Sequence, residues 1–256
     1  MSKFKSEIEE RIKAFETDPL LKESAHDFLY RSAVQKYSYN FHWMERPIIQ
    51  YPQDIVAMQE LIWSIRPDLI IECGIAHGGS LILNASILAL IDMCEAIEQG
   101  EVFNPTKSHR KVLGIDIDIR PHNLAAIQTH PMTSRIDMIE GSSISKGIIN
   151  KVRDFAQNYN CILVCLDSNH THDHVRAELD AYADLTSKGS YCVVFDTLIE
   201  DMPPDTYPDR PWGQGNNPKT AVWDFLKTHP EFAIDKSIAS KYLITVAHDG
   251  FLKRIA

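Results

Sequence analysis

The stretch Leu69-Ile-Ile-Glu72-Cys-Gly74-Ile-Ala-His77-Gly78-Gly79-Ser80 decides the fold class of this chain. Its first four residues form a short apolar run that ends in an acid, which is typical of a buried strand. Its glycines predict a tight turn, and the small and apolar residues that follow, up to about residue 97, predict a helix. A strand that turns through glycines into a helix is typical of α/β folds, and the backbone N–H groups of such a turn can bind a ligand.

Apolar strands and helices alternate along the chain around this turn. A helix capped by Asp54 is expected just before the first strand. Strands are predicted at residues 69–72, 111–115, 136–139, 161–166 and 190–196, with a helix between each pair. Two further strands, at residues 232–235 and 242–247, are expected to form an antiparallel hairpin at the sheet edge. This order predicts an α/β fold with a mostly parallel, seven-stranded sheet that carries helices on both faces.

The first part of the chain predicts an N-terminal extension to this fold. Residues 3–36 have apolar residues at helical spacing, interrupted at Thr17-Asp18-Pro19, and residues 37–52 are expected to form an aromatic loop. We therefore divide the chain into a helical and aromatic extension, residues 1–52, and an α/β domain, residues 53–256. We expect the extension to support a homo-oligomer.

The composition narrows the possible partners and the cellular location. A formal net charge of -9 leaves no basic stripe for a nucleic acid. A membrane span needs an apolar run of roughly 18 residues, and we expect none in this chain. The charged N-terminus lacks the apolar core of a signal peptide. We therefore expect a cytoplasmic protein with no nucleic-acid or membrane partner. The five cysteines, an odd number without a C-x-x-C pair, are expected to be reduced thiols.

Polar residues follow three of the predicted strands. Glu72 ends the first, Asp116 follows the second, and Glu140-Gly141-Ser142 follows the third. The turn has the spacing G-x-x-x-G-G, and Ala76 replaces the middle glycine of the dinucleotide fingerprint. This arrangement suits S-adenosylmethionine-dependent methyltransferases, in which strand-end acids and turn glycines bind the cofactor. The predicted cofactor-binding residues are Glu72, Gly74, His77, Gly78, Ser80, Asp116, Ser142 and Asp167.

Four blocks of the chain carry a more specific pattern. They are Pro67-Asp-Leu-Ile-Ile-Glu-Cys-Gly-Ile-Ala-His-Gly-Gly-Ser, Val112-Leu-Gly-Ile-Asp-Ile-Asp, Leu166-Asp-Ser-Asn-His and Arg210-Pro-Trp-Gly-Gln-Gly-Asn-Asn-Pro-Lys-Thr-Ala-Val. From about Tyr37 to the C-terminus, the chain resembles the cephalosporin hydroxylase family. The resemblance implies a Rossmann-like class I methyltransferase fold that binds S-adenosylmethionine and a magnesium ion and transfers a methyl group to a hydroxyl. Because that family includes a member acting in cephamycin methoxylation and sugar O-methyltransferases, we expect a small hydroxylated acceptor, a sugar or a natural product.

The segment Cys161-Ile-Leu-Val-Cys-Leu-Asp167-Ser-Asn-His170 ends a predicted strand in an acid and a histidine. On the scaffold that the resemblance implies, this spacing is similar to that of metal-dependent O-methyltransferases such as the catechol enzyme. Asp167 and Asp196, at the ends of the fourth and fifth strands, are the expected metal ligands, and the metal would lower the pKa of the acceptor hydroxyl. His170 is the expected general base. The predicted catalytic residues are therefore His170 and Asp167.

The fifth strand departs from the family pattern. That family often has two adjacent carboxylates after this strand, whereas this chain has Phe195-Asp196-Thr197. Either a water molecule, Asn169 or Glu200 completes the site, or the ion binds weakly or not at all. Magnesium readily keeps water ligands, so the site is compatible with this ion.

A long loop at residues 200–218 is rich in proline and glycine. Such a loop in a compact domain is typical of a lid or binding loop. Its Arg210 and Trp212 are expected either to contact the acceptor or to anchor the loop.

Two other functions are compatible with the same residues. His170-Thr-His172-Asp173-His174 is similar to the H-x-H-x-D-H ligand set of zinc-dependent hydrolases, although one residue is missing between His172 and Asp173. The missing second carboxylate beside Asp196 is also compatible with a non-catalytic protein that binds S-adenosylmethionine and assembles with a partner enzyme.

Overall fold

The N-terminal residues form two helices. The structure is a computed structural model that describes residues 3–256. Helices α1 (Lys3–Thr17) and α2 (Pro19–Val34) are separated at Asp18, whose side chain accepts a hydrogen bond from the N–H of Leu21 at 3.0 Å. This aspartate caps α2, because it gives a partner to one of the unpaired N–H groups of the first turn. The predicted break between two helices is confirmed.

The aromatic segment after α2 contains a short β-hairpin. A 3-10 turn at Tyr37–Asn40 leads into β1 (Phe41–Trp43), which pairs antiparallel with β2 (Arg46–Ile48). Met44 and Glu45 between the strands are left-handed, with φ of 45° and 70°. Two left-handed residues make the tight turn that suits the twist of a hairpin. The expectation of an irregular loop is wrong here, because this turn lacks the glycine or asparagine that marks such hairpins in a sequence.

The rest of the chain alternates helices and strands around one sheet. The helices are α3 (Pro52–Ile65), α4 (Gly79–Gln99), α5 (Pro121–Gln128), α6 (Lys146–Ala156), α7 (His172–Tyr182), α8 (Pro218–Phe225) and α9 (Lys236–Tyr242). The strands are β3 (Leu69–Cys73), β4 (Lys111–Asp116), β5 (Ile136–Glu140), β6 (Ile162–Leu166), β7 (Tyr191–Val194), β8 (Phe232–Ile234) and β9 (Phe251–Arg254). Their order is β5-β4-β3-β6-β7-β9-β8, in which β3 to β7 are parallel and β9 is antiparallel to both neighbours. Within residues 3–256, this is the predicted mostly parallel, seven-stranded sheet.

Helices cover both faces of the sheet, and the side chains of β3 alternate between two cores. Leu69, Ile71 and Cys73 pack with α6, α7 and α8, whereas Ile70 packs with α3 and α4. Successive side chains of a strand point to opposite faces, so a strand buried on both faces needs a continuous apolar run. The predicted α/β class is confirmed. All five cysteines are free thiols in the part of the chain that the structure describes, as expected.

Helix α4 is 21 residues long and, by length and composition, apolar enough to cross a membrane. The expectation that the chain contains no such segment is therefore wrong. Half of the most apolar window of α4 is buried inside the fold. A helix that is apolar nearly all round and packs between other elements is typical of a protein core.

The C-terminal part of the sheet differs from the prediction. A last strand was expected at residues 242–247, but α9 occupies the start of this segment and the last strand is β9. Thr245 and Val246 instead donate hydrogen bonds to the carboxylate of Asp54, the second at 3.1 Å. These long-range bonds replace strand pairing, and an apolar alternation in the sequence cannot reveal them.

Asp54 does not cap α3, which corrects a second prediction. Tyr51 is the N-cap residue of that helix, Pro52 follows it, and Asp54 lies fully buried in the first turn. Burial raises the pKa of Asp54 to about 7, and the hydrogen bonds from Thr245 and Val246 oppose this shift. Asp54 therefore joins the start of α3 to the segment before β9.

The packing of α2 leads to a prediction of stability. Leu29 is fully buried against Tyr51, Leu198 and Met202, whereas Leu90 of α4 is 50% exposed. Leu29→Ala should lower the free energy of unfolding by about 2–5 kcal/mol, because it leaves a cavity in this apolar cluster. The control Leu90→Ala should change it by less than about 0.5 kcal/mol. Urea unfolding followed by circular dichroism measures both values, and equal effects would contradict the packing of α2.

Candidate active site

The polar residues that follow the strands meet at one edge of the sheet. From β3 the chain continues to β4 and β5 on one side and later to β6 and β7 on the other, so the strand order reverses at β3. Ligands of open α/β sheets bind outside the carboxyl ends of the strands at such a switch point. At or just after the carboxyl ends of β3, β4, β5, β6 and β7 lie Glu72, Asp116, Ser142, Asp167 and Asp196. A ligand is therefore expected near these positions, and contact between Ser142 and the cofactor stays a prediction.

The glycine-rich turn between β3 and α4 lies against its neighbours. Gly74 has a φ of 100°, and a Cβ atom there would overlap the carbonyl oxygen of Asp167. Gly78 has a φ of 81°, and its Cβ atom would overlap the side chain of Ile127 in α5. Both positions need glycine for the backbone angle and for space. Ala76 is also left-handed, with a φ of 46°, which costs about 1–2 kcal/mol in a residue with a Cβ atom.

The carboxylate of Asp116 binds backbone N–H groups of this turn. One carboxylate oxygen accepts hydrogen bonds from the N–H groups of Ile75 and Ala76, at 2.8 and 3.2 Å. The other oxygen accepts one from the N–H of Asp118 at 3.2 Å. Because an ionised carboxylate can accept about four hydrogen bonds and three are made here, Asp116 can still accept one from the cofactor that it is predicted to bind.

Glu72 lies below the turn and is almost fully buried. It accepts hydrogen bonds from the hydroxyl of Ser80 and, at 2.8 Å, from the side-chain amide of Asn84. Burial raises the pKa of Glu72 to about 7, and these hydrogen bonds offset the shift only in part. Gln50 Oε1 and Asn84 Oδ1 are buried at the same small cavity, and neither has a donor among residues 3–256. Acceptors therefore outnumber donors around this cavity.

Asp167, His170 and Asp196 form one cluster beside the turn. Their ligand atoms lie within 4.8 Å of one another, and His170 Nε2 lies 3.3 Å from Asp196 Oδ2. Asp167 directly follows β6, His170 lies in the loop before α7, and Asp196 lies two residues after β7. All three are half-buried. Carboxylate oxygens and imidazole nitrogens are common ligands of divalent metal ions, so the cluster can hold one.

Negative charge accumulates around this cluster. Burial and the charges of Asp196, Glu72, Glu178 and Asp54 raise the pKa of Asp167 well above its usual range. A cation bound beside these carboxylates would favour their ionised forms. The electrostatic field of the site therefore favours a positively charged ligand.

The two side chains expected to complete the metal site are engaged with neighbouring loops. Asn169 Oδ1 accepts hydrogen bonds from the N–H and the hydroxyl of Thr171, at 2.9 and 2.8 Å. Glu200 Oε2 accepts hydrogen bonds from the N–H of Gly215 and the side chain of Asn217, at 2.7 and 2.5 Å. Glu200 thereby anchors the loop at residues 202–217. The expectation that Asn169 or Glu200 replaces the missing carboxylate has no support in this geometry.

The loop at residues 202–217 reaches the aspartate cluster. Trp212 packs edge-to-face on His170, with ring centroids 4.8 Å apart and planes at 86°. The guanidinium carbon of Arg210 lies 5.1 Å from the centroid of Trp212. Asn216 accepts a hydrogen bond from the N–H of His172 at 2.9 Å, which joins the loop to the start of α7. Arg210 and Trp212 thus lie beside the cluster, and their contact with an acceptor stays a prediction.

The three histidines of the zinc-hydrolase alternative have different neighbours. His172 Nδ1 lies 2.8 Å from the hydroxyl of Thr220, and His174 Nε2 lies 3.1 Å from the hydroxyl of Ser143. His170 belongs to the aspartate cluster. The geometry therefore does not favour a three-histidine zinc site.

Four polar side chains of the site were not predicted. Arg46 and Asn123 hold the turn from outside by donating to its carbonyl groups, and Gln50 and Asn84 line the buried cavity. None of the four follows a predicted strand of the sheet or belongs to a recognised motif, so no pattern in the sequence indicates them. His77 takes part through its carbonyl oxygen, which accepts from Arg46, and its contact with a cofactor stays a prediction.

The strand order, the glycine-rich turn and the strand-end acids define a Rossmann-like class I methyltransferase. A solved structure of CmcI, described as its Mg-SAM form, shares this fold. Its TM-score is 0.53 at 18% sequence identity, covering 85% of this chain and 78% of that chain. The predicted class of fold is confirmed.

The sequence also identifies the family. Residues 35–255 match the model of the family described as Rhamnosyl O-methyltransferase/CmcI. The rhamnosyl O-methyltransferase of Mycobacterium leprae is 29% identical over 214 residues, which cover 83% of this chain and 82% of that protein. Its counterpart from Mycobacterium tuberculosis is 29% identical over 203 residues, covering 78% and 73%. The chain belongs to this family and is a methyltransferase, so the resemblance to the cephalosporin hydroxylase family is confirmed.

Glu72 should make the stability of the fold depend on pH. Its pKa of about 7 in the folded chain exceeds the ordinary value of 4.5. The stabilisation that comes from its protonated form is therefore fully present below pH 4.5 and is lost as the pH rises to about 7. Glu72→Gln stays neutral and should flatten the fall in unfolding free energy over this range by about 2–3 kcal/mol.

Urea unfolding of Glu72→Gln at a series of pH values tests this prediction. The exposed Glu16 provides the control, since Glu16→Gln should follow the pH profile of the wild type. A profile of Glu72→Gln that runs parallel to that of the wild type would contradict the raised pKa.

Proposed function

We propose that this chain is an S-adenosylmethionine-dependent, magnesium-assisted O-methyltransferase whose acceptor is a hydroxyl group of a rhamnose-type sugar. The observation that carries the proposal is the cluster of Asp167, His170 and Asp196 beside the glycine-rich turn at the switch point of the sheet. The rhamnosyl O-methyltransferase name of the relatives supports the sugar acceptor. The Mg-SAM form of CmcI agrees with the proposed cofactor and ion.

The crevice fits the amino-acid end of S-adenosylmethionine. Gln50 Oε1 and Asn84 Oδ1, which have no donor in the described chain, line one cavity with the carboxylates of Glu72 and Asp167. An ammonium group has three donors, no acceptor and a positive charge, so it complements such a cavity. The first N–H groups of a helix have no partner within the helix, so those at the start of α4 suit a carboxylate. The side chain proposed for the ribose hydroxyls is Asp116.

The aspartate pair fits a magnesium ion. Magnesium in proteins is commonly bound by one or two carboxylates while it keeps several water ligands. Asp167 and Asp196 supply two carboxylates, and the pKa of Asp167 is raised by its burial and by the negative charges close to it. We therefore assign these two residues as the metal ligands.

His170 is the proposed general base. S-adenosylmethionine would supply the methyl group, and a divalent ion held by Asp167 and Asp196 would lower the pKa of the acceptor hydroxyl. His170 can take the hydroxyl proton, because an imidazole gains and loses a proton near neutral pH. Asp196, 3.3 Å away, stabilises the resulting imidazolium. Trp212 packs on the imidazole ring and restricts its rotation.

Replacement of His170 and Asp196 tests these roles. His170→Ala should lower kcat about 10²–10⁴-fold, because a general base contributes a rate factor of that size. Asp196→Asn should raise the magnesium concentration needed for half-maximal activity. His109, which is 63% exposed and lies before β4, provides the control variant His109→Ala. The measurement is methyl transfer from labelled S-adenosylmethionine to a rhamnoside, followed by mass spectrometry of the product.

The cluster also permits His170 to act as a third metal ligand, since a ring nitrogen of His170 lies within 4.8 Å of a carboxylate oxygen of each aspartate. Calorimetric titration with magnesium separates the two roles. If His170 is the base, His170→Ala keeps the magnesium dissociation constant of the wild type and loses only kcat. If His170 is a ligand, the dissociation constant rises together with the loss of activity.

The wild-type protein provides the most direct test of the proposed function. Titration with S-adenosylmethionine in a calorimeter should show binding, and no binding at millimolar cofactor would contradict the function itself. Binding without methyl transfer to any rhamnoside would contradict the acceptor and would favour a non-catalytic binding protein.

We also propose that the chain forms a homo-oligomer through its N-terminal helices. None of the described residues of α1 is buried, and Phe4 and Leu20 are 65% and 73% exposed. An amphipathic helix with exposed apolar residues gains stability by packing on a further surface.

Light scattering after size-exclusion chromatography tests this oligomer. The mass should be a multiple of 29.1 kDa and should fall in the double variant Phe4→Ser, Leu20→Ser. A wild-type mass of one chain would contradict the proposal. The domain division after residue 52, the cytoplasmic location and the lack of nucleic-acid or membrane partners stay predictions.

A further inference from the structure

The turn between β3 and α4 is held from outside by two polar side chains. Arg46 is the first residue of β2, and Asn123 lies in the first turn of α5. Arg46 Nε and Nη2 both donate to the carbonyl oxygen of His77, at 3.0 and 2.5 Å. Asn123 Nδ2 donates to the carbonyl oxygen of Ala76 at 2.9 Å. Two successive carbonyl groups of the turn therefore have side-chain donors from different elements.

The two side chains are also joined to each other. Arg46 Nη2 donates to Asn123 Oδ1 at 3.0 Å. The amide of Asn123, which is 2% exposed, thus accepts from Arg46 and donates to Ala76. Because the buried amide of Asn123 is bonded on both sides, the loss of either side chain weakens the network as a whole.

The hairpin and α5 also press on the turn through apolar and backbone contacts. A Cβ atom on Gly79 would overlap the carbonyl oxygen of Pro47 and the backbone of Ile48 in the hairpin. A Cβ atom on Gly78 would overlap Ile127 of α5. The hydrogen bonds from Arg46 and Asn123 therefore act on a turn that the hairpin and α5 already contact at its glycines.

The carbonyl contacts fix the direction of the peptide groups. In a trans peptide, the N–H points away from the C=O of the same unit. The bond from Asn123 to the carbonyl of Ala76 therefore directs the N–H of His77 to the opposite side of the turn. Ala76 has a φ of 46°, a conformation that a residue with a Cβ atom keeps only when its surroundings impose it. Asp116 on its N–H and Asn123 on its carbonyl impose it here.

We propose that Arg46 and Asn123 are positioning residues for cofactor binding, which act by holding the glycine-rich turn in its ligand-binding shape. The inference rests on the proposed function, since the turn is the cofactor-binding turn of that proposal. The hydrogen bonds described above join Arg46 and Asn123 to the turn and to each other, and none of them goes to the aspartate cluster. Their loss therefore weakens binding of S-adenosylmethionine and leaves the chemical step nearly unchanged.

Two single variants and their combination test this proposal. Arg46→Lys keeps the charge but cannot donate to His77 and Asn123 in one planar arrangement. Asn123→Ala removes the donor to Ala76 and the acceptor for Arg46. Each should raise KM for S-adenosylmethionine about tenfold, as expected for hydrogen bonds that involve a charged group, and should leave kcat within about twofold. The double variant should raise KM by less than the product of the two single effects, because the residues are in contact.

Arg153 provides the matched control. It also donates to a backbone carbonyl, that of Ala181 at 2.8 Å, but lies in α6. Arg153→Lys should leave KM for S-adenosylmethionine unchanged. Calorimetric titration with S-adenosylhomocysteine should show the same tenfold weakening for Arg46→Lys as the kinetics. Thermal unfolding shows whether each variant folds. If Asn123→Ala does not fold, the KM of Arg46→Lys decides whether the proposal holds.

Three outcomes are informative. A rise in KM with constant kcat for Arg46→Lys, absent in Arg153→Lys, supports the positioning role. An unchanged KM and dissociation constant in folded Arg46→Lys, or a loss of kcat alone, overturns it. If the wild type itself binds neither S-adenosylmethionine nor S-adenosylhomocysteine, the proposed function fails, and the inference falls with it.

Discussion

The close approach of β3 and β6 at their carboxyl ends is the constraint on which the rest of the site depends. The N–H of Asp167 donates to the carbonyl oxygen of Cys73 at 2.8 Å, and the N–H of Gly74 donates to that of Ile115 at 2.8 Å. The end of β3 is therefore fixed on both sides, with Gly74 against the backbone of Asp167. Because the glycine-rich turn and the Asp167 loop start from this point, a residue without a side chain sets the distance between them. The carboxylate of Asp116 then fixes the far side of the turn.

Electrostatics imposes the second constraint. Asp54 and Glu72 are buried deeply enough to raise the pKa of each to about 7, and the same acids contribute to the raised pKa of Asp167. Bringing several carboxylates into one poorly hydrated region is unfavourable unless hydrogen bonds or cations compensate for it. Thr245 and Ser80 compensate in part at Asp54 and Glu72. Around Asp167 the compensation is incomplete, which is the condition under which a bound cation stabilises the folded chain most.

The parts of the fold that were predictable are those that local periodicity encodes. The apolar runs before Glu72 and Asp167 mark strands buried on both faces, and parallel strands bring their carboxyl ends to one edge. The candidate site was therefore predictable in outline, including the position of Asp196 after the fifth of these strands. The hairpin turn at Met44 and Glu45 was not, because its left-handed residues are not the types that usually indicate one.

Contacts between distant parts of the chain were also unpredictable. The bond from Thr245 to Asp54 joins residues that are 191 positions apart, and that from Arg46 to His77 joins residues 31 positions apart. Such pairs depend on the assembled fold, and neither partner changes the apolar pattern around it. The same reason explains why Asp54 resembled a helix cap and why the segment before β9 resembled a strand. Hydrogen bonds between distant parts of the chain therefore account for these two errors.

The attachment of the loop at residues 202–217 to Glu200 has a consequence for the timing of turnover. One carboxylate oxygen of Glu200, just before this loop, holds Gly215 and Asn217 at its end, so the two ends of the loop are tied together. The loop is also joined to α7, because Asn216 accepts a hydrogen bond from the N–H of His172. Trp212 of the same loop packs on His170. Opening of the loop would therefore change the access to the aspartate cluster and the packing of the His170 ring in one motion, of the kind that limits the rate of many enzymes with mobile loops.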